Sequence, residues 1–177
     1  MLLSYNQLVE VVKEGYLKGV DASAINAASI DLRLGNVFLR EGKGKIVDLS
    51  EREPLNWNQT HYEDTEQVSL APGEFILAQT KEVFDVPLHL SMEFSLKSSM
   101  ARSGLEHLLA GWIDPGFHDS VLTLELRNVS QNHVLLLRPG MFIGQVIVYQ
   151  HEPVPESASY RARGRYNHDR FVQHIKP

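Results

Sequence analysis

The sequence predicts a mainly β fold, a distorted, jelly-roll-like pair of sheets led by an N-terminal helix. Three observations predict it. Short runs alternate apolar and polar residues, as half-buried strands do. A Leu-x-Pro-Gly-x-Phe-Ile pattern occurs twice, at Leu70–Ile76 and Leu137–Ile143. Helical spacing shows only near the start and then gives way to strands and turns.

The helix begins at Ser4, whose side chain suits an N-cap, and Gln7 three residues on completes a capping box. Leu3 and Leu8 stand at staple positions; Leu8, Val11, Val12 and Tyr16 share one face, and Gly19 ends the helix after Lys18. Ser29–Gly35 alternates and reads as a strand. Phe38–Leu39 and Ile46–Leu49 read as strands around a Gly42-Lys43-Gly44 turn. Residues 51–67 are polar, with Pro54, Asn56 and Asn58, and read as a surface loop or flap. Each Pro-Gly suits a type II turn with Gly at its left-handed position, so each starts a strand. Such turns also recur in unrelated β proteins, so the repeat leaves both readings open. Val121–Arg127 places Leu122, Leu124 and Leu126 on one face. Val134–Leu137 and Met141–Tyr149 follow as strands. The expectation is one domain over 1–177, with about 153–177 a mobile, basic and aromatic C-terminal tail.

Composition narrows the function. Lys plus Arg number 17 against 22 Asp plus Glu, a net charge of −5. That disfavours a non-specific nucleic-acid binder, which needs a basic face. Cysteine is absent, which removes disulfides, thiolate zinc sites and the zinc-deaminase signature. No apolar run approaches the length of a membrane span, and the first residues lack a basic leader. A soluble, cytoplasmic protein is expected.

Chemistry concentrates between Lys97 and Asp119. Lys97-Ser98-Ser99-Met100-Ala101-Arg102 combines two cations, two hydroxyls and the start of a helical turn, which suits an anion. The same Ser-Ser pair also serves as an ordinary helix cap. Asp114 precedes Pro115-Gly116 and either fixes a turn or faces a ligand. Glu125 lies between Leu124 and Leu126. It belongs either to an exposed sheet face or beside the core, where its pKa would rise and it could shuttle protons. The eight histidines show no metal-binding spacing and read as surface or structural residues. No phosphate-binding or dinucleotide glycine motif and no nucleophile elbow is present.

Taken together, Ser29–Gly35, Lys97–Leu105, Ala110–Phe117, Leu122–Asn128, Arg138–Gln145 and Tyr160–Tyr166 resemble the dCTP deaminase family, of the same trimeric β superfamily as the dUTPases. The resemblance implies a homotrimer with sites at subunit interfaces, closed by the C-terminal tail. It implies metal-free hydrolytic deamination of dCTP to dUTP and ammonia, supplying dTTP precursors. Glu125 matches the general base and acid. Ser98 and the Ala110 carbonyl match groups that position the water, and Arg102 matches the arginine that stabilises developing charge. Asp114 matches the residue that holds the deoxyribose 3′-hydroxyl. Thr123 and Leu124 match positions whose backbone reads the base. Lys97 and Ser99, with Met100 and Ala101 beside them, match triphosphate contacts; Gln145, Tyr160 and Arg165 match others around sugar and phosphates. Mg²⁺ would ride on the triphosphate, and no protein metal site or catalytic zinc is expected.

Three departures stand out. Lys97 replaces the usual arginine and loses bidentate geometry. One extra residue lies between Phe117 and Glu125, which a β-bulge would absorb. The tail reads Tyr166-Asn167-His168-Asp169, where Asp169 would repel phosphate. The alternatives are a bifunctional enzyme releasing dUMP and pyrophosphate, a dUTP diphosphatase using Asp114 to activate water, a 5-substituted dCTP as substrate, and a regulatory nucleotide-binding trimer.

Overall fold

The computed structural model describes residues 1–63 and 66–176; Asp64 and Thr65 of the polar segment and Pro177 of the tail lie outside the described residues. Helix α1 (Tyr5–Lys13) starts as expected. The Ser4 N–H donates to Gln7 Oε1 at 3.0 Å, and Leu3 and Leu8 are buried in the same core. It ends sooner than expected. Gly15, with φ +75°, takes the left-handed turn that the sequence assigns to Gly19. Leu17–Lys18 then form a short strand, β1, on the sheet.

β2 (Ile30–Arg33) and β3 (Val37–Glu41) lie where alternation places them. Ile46–Leu49 is not a strand. Ile46 is 96% exposed, because no sheet face receives these apolar residues. Instead β4 (Trp57–His61) forms inside the polar segment, antiparallel to β3 at the end of the sheet. An edge strand needs only backbone pairing on one side, so its Asn, Gln and Thr residues carry no burial pattern.

The remaining elements are β5 (Val68–Leu70), β6 (Phe75–Asp85), β7 (Leu90–Leu96), α2 (Ser98–Arg102), β8 (Leu105–His107), β9 (Trp112–Ile113), β10 (His118–Asn128), β11 (Leu135–Leu137), β12 (Phe142–Gln150) and α3 (Tyr160–Arg163). One sheet runs β4-β3-β6-β10-β8, with β1 also on β6; the other runs β2-β12-β7-β9, and β11 pairs with β5. Every pairing is antiparallel. The repeated motif explains this layout. Gly73 and Gly140 have φ +78° and +81°. The turns close through Glu74 N–H to Ala71 O at 3.0 Å and Met141 N–H to Arg138 O at 3.2 Å. The strands before the two turns pair with each other, and the strands after them enter separate sheets. Leu122, Leu124 and Leu126 of β10 point into the core.

β10 is irregular before Glu125, in the stretch where a bulge is expected. β10 shifts register between His118 and Ser120 and again between Val121 and Thr123. The tail packs back on β10. Val121 N–H donates to Asp169 O at 2.9 Å, and Val172 is buried with Val37, Leu39 and Leu77.

Candidate active site

Outward-facing residues of β10, the 108–114 loop, the tail and the 49–57 segment enclose a cavity of about 460 Å³. Of the residues singled out from sequence, Ala110, Asp114, Thr123, Glu125 and Tyr160 line it. Period-2 alternation delivers Thr123 and Glu125 to this face while Leu124 is fully buried behind them. Leu124 can therefore offer only backbone to a ligand.

The loop that carries Ala110 is pinned on both sides. Leu108 N–H donates to Glu125 O at 3.2 Å, and Gly111 O accepts from Phe94 N–H at 2.7 Å. A Cβ on Gly111 would lie 2.5 Å from Phe94 O, so only glycine fits this approach. Asp114 is exposed to the cavity and accepts from Trp112 Nε1–H at 3.0 Å. Trp112 stacks on Tyr149 with centroids 6.1 Å apart. Tyr160 packs against Phe117 at 5.5 Å, and burial pushes its phenol pKa up, so it stays a donor at neutral pH.

Glu125 has one partner the sequence does not announce. Its Oε2 lies 3.2 Å from His107 Nε2, and the His107 side chain is only 4% exposed. Neither atom has a well-aligned hydrogen bond. His107 also packs on Phe94 at 4.7 Å. It is thus not a surface residue but a buried neighbour of the central carboxylate. No spacing motif links the two, because β8 and β10 become neighbours only when the sheet forms. His107 opens on its other side to a second cavity of about 670 Å³, whose wall also includes Ala101 and Trp112.

The other expected residues sit elsewhere. Lys97 is the N-cap of α2, so Ser98 and Ser99 occupy its first turn and do not cap it. Ser98, Ser99, Ala101 and Arg102 are exposed and Met100 is half-buried. Lys97 pairs with Asp31 at 2.5 Å. Gln145 Oε1 accepts from Ser29 Oγ–H at 3.0 Å on the same sheet. Arg165 is exposed in the tail. None of these lines the Glu125 cavity. Within one chain the expected residues thus fall into two groups. The tail contributes Tyr166, Asp169, Gln173, His174 and Ile175 to the wall, and the polar segment contributes Glu53, Leu55 and Trp57. Sequence reasoning missed Gln173, His174, Ile175, Glu53, Leu55 and Trp57 as wall residues, while Tyr166 and Asp169 lie in the tail stretch it noted; Asp169 pairs with Lys176 at 2.6 Å. Among the described residues no group of three or more His, Cys, Asp or Glu is placed to hold a metal ion.

Residues 2–151 match the family model described as dCTP deaminase-like. A Corynebacterium jeikeium protein named "dCTP deaminase, dUMP-forming" is 38% identical over 154 residues, which is 84% of this chain and 81% of that protein. A Methanosphaerula palustris protein of the same name is 33% identical over 174 residues, covering 96% and 92%. The crystal structure of 2′-deoxycytidine 5′-triphosphate deaminase from Agrobacterium tumefaciens superposes with a TM-score of 0.65 at 18% identity. That match covers 83% of this chain and 48% of the other, so this chain spans about half of its length, and the likeness speaks to the fold.

Proposed function

The chain belongs to the dCTP deaminase-like family, and from that premise we propose that it deaminates dCTP and carries the product on to dUMP and pyrophosphate. The observation that carries the reading is the meeting of Glu125, Ala110, Asp114, Thr123 and Tyr160 in one cavity. The dUMP-forming name shared by its relatives favours this outcome over release of dUTP, the first expectation from the sequence.

In this mechanism Glu125 takes a proton from a water held by Ser98 and the Ala110 carbonyl. The oxygen adds to C4 of cytosine while Glu125 passes the proton to N3. A second proton transfer releases the C4 amine as ammonia and leaves the uracil carbonyl. General acid–base work of this kind contributes about 10²–10⁴ in rate. Arg102 stabilises the developing charge, a role whose removal typically costs about 10²–10³. Asp114, oriented by Trp112, holds the 3′-hydroxyl. The backbone at Thr123 and Leu124 reads the base. Lys97, Ser99 and Gln145, with Met100 and Ala101 beside them, and Tyr160 and Arg165 from the tail, hold the sugar and triphosphate. Mg²⁺ arrives as part of the magnesium–triphosphate substrate. In the second step water attacks the α-phosphorus, its proton passes to solvent, and pyrophosphate leaves.

The two groups of site residues join in a homotrimer, where the exposed α2 of one subunit completes the Glu125 cavity of another. The setting is cytoplasmic nucleotide supply. Incubation with dCTP and Mg²⁺, with CTP and dUTP in parallel, tests the reading by chromatography of the products. dUMP and pyrophosphate with little free dUTP are expected. Accumulating dUTP would reduce the activity to deamination alone. Hydrolysis of dUTP with dCTP untouched would overturn the reading in favour of a diphosphatase.

A further inference from the structure

We propose that His118 and His168 form a binding site for one divalent transition-metal ion of the zinc class, which staples the C-terminal segment to the start of β10. Two departures noted in the sequence meet at this point. The Phe117–Glu125 stretch, one residue longer than the resemblance leads one to expect, has a register shift at His118–Ser120, and the tail departure supplies His168.

The two imidazoles face each other with Nε2 to Nε2 at 3.1 Å, ring centroids 4.5 Å apart and planes at 81°. The far nitrogen of each ring is already committed. His118 Nδ1 lies 2.9 Å from Gly116 O, and a carbonyl only accepts, so this nitrogen carries the proton. His168 Nδ1 lies 3.3 Å from Asp119 Oδ2. The Asp119 carboxylate also pairs with Arg170, so it too is an acceptor. With those protons on the far nitrogens, the two Nε2 atoms face each other as acceptors. A cation between them, a proton or a metal ion, relieves the contact.

A metal ion fits that gap. Zinc–imidazole bonds are about 2.0–2.1 Å, and two of them meeting between a right angle and a tetrahedral angle separate the nitrogens by roughly 2.9–3.4 Å. Metal-bound imidazoles typically give their other N–H to a backbone carbonyl or a carboxylate, and both partners stand behind these rings. Imidazole donors suit zinc, nickel and copper. Water completes the coordination, since the described residues bring no third protein ligand of this kind to the pair. The His168 side chain is 68% exposed, so the gap is open to solvent.

The place of the clasp gives it a consequence. Tyr166 and Asp169, on either side of His168 in the chain, line the Glu125 cavity, while His118 and His168 do not. A bound ion would hold that wall in place without touching the proposed catalytic groups. The inference does not depend on the deaminase reading, and its test reads metal binding.

The test is a calorimetric titration of the chelator-stripped full chain with Zn²⁺, beside His118→Ala, His168→Ala and Asp119→Asn. Folding of each variant is checked by its metal-free melting curve. One ion per chain is expected for the wild type. Each His variant should lose the site, and Asp119→Asn should weaken it by about 10–100-fold, as loss of an outer partner does. Zn²⁺ should also slow tryptic cleavage after Arg165 and Arg170 in the wild type and not in the His variants. Absence of saturable binding, or equal binding in the His variants, would overturn the proposal and leave a proton shared between two rings.

Discussion

Glu125 and His107 show how much a single side-chain contact changes a reading. As a residue in a Leu-Glu-Leu run, Glu125 fits an exposed face as well as a proton shuttle. Its place on the cavity wall beside buried His107 supports the second. Glu125→Gln should abolish ammonia release while nucleotide binding, followed by calorimetry, survives. His107→Phe keeps the packing on Phe94 but removes the nitrogen facing the carboxylate. It should lower kcat more than it changes KM. Unchanged kinetics would make His107 a packing residue only. Elsewhere, Glu82 is 1% exposed and pairs with Arg33 at 2.9 Å. Burial pushes its carboxyl above the ordinary 4.5 despite hydrogen bonds from Arg33 that act the other way. A raised carboxyl contributes its stability below the unfolded pKa and loses it as pH rises through the folded one. Urea unfolding of wild type and Glu82→Gln should therefore show wild-type stability falling relative to the variant as pH rises from about 4.5. Glu82→Ala leaves Arg33 paired with Asp21 at 2.7 Å and should cost about 1–3 kcal/mol for the hydrogen bonds lost.

Elements differ in how far their sequences reveal them. α1 is legible at its start because Ser4 and Gln7 satisfy backbone groups locally. Its end is not, because Gly15 and Gly19 both have left-handed φ, and burial of Leu17 on the sheet decides between them. β10 is legible because Leu122, Leu124 and Leu126 make one face apolar along its middle, whereas β4 is hidden because its stabilisation is backbone pairing at an edge. The tail is the least legible element. Its short 3-10 and helical turns and the docking of Val172 depend on partners far back in the chain. Val172 N–H donates to Gln79 Oε1 at 2.8 Å, and its side chain sits 2% exposed among Val37, Leu39 and Leu77. Val172→Ala removes two methyl groups, about 1.6 kcal/mol of burial at roughly 0.8 per carbon. Tryptic cleavage within the tail should speed up about tenfold, with global unfolding little changed.

At the scale of the whole molecule, the site residues named by family resemblance do not converge within one chain. Glu125 lines the cavity, and Arg102 stands exposed on α2 outside its wall. A shared site in a homotrimer predicts complementation. Glu125→Gln and Arg102→Ala should each be inactive alone. When the two are unfolded together and reassembled, one half of the Glu125 positions and one half of the neighbouring Arg102 positions are intact. Roughly a quarter of sites should then recover. No recovery, with a trimeric mass confirmed by light scattering, would place each site within a single subunit. The β class, the two tight Pro-Gly turns and the alternation that turns Thr123 and Glu125 away from the core are legible in the chain itself. These are local or periodic properties, and backbone geometry expresses them wherever the chain goes. That His107 meets Glu125, that the tail and the polar segment wall the cavity, and that His118 meets His168 all follow from how distant segments pack. Those contacts join residues between 18 and 50 or more positions apart, and no local preference encodes which strands become neighbours.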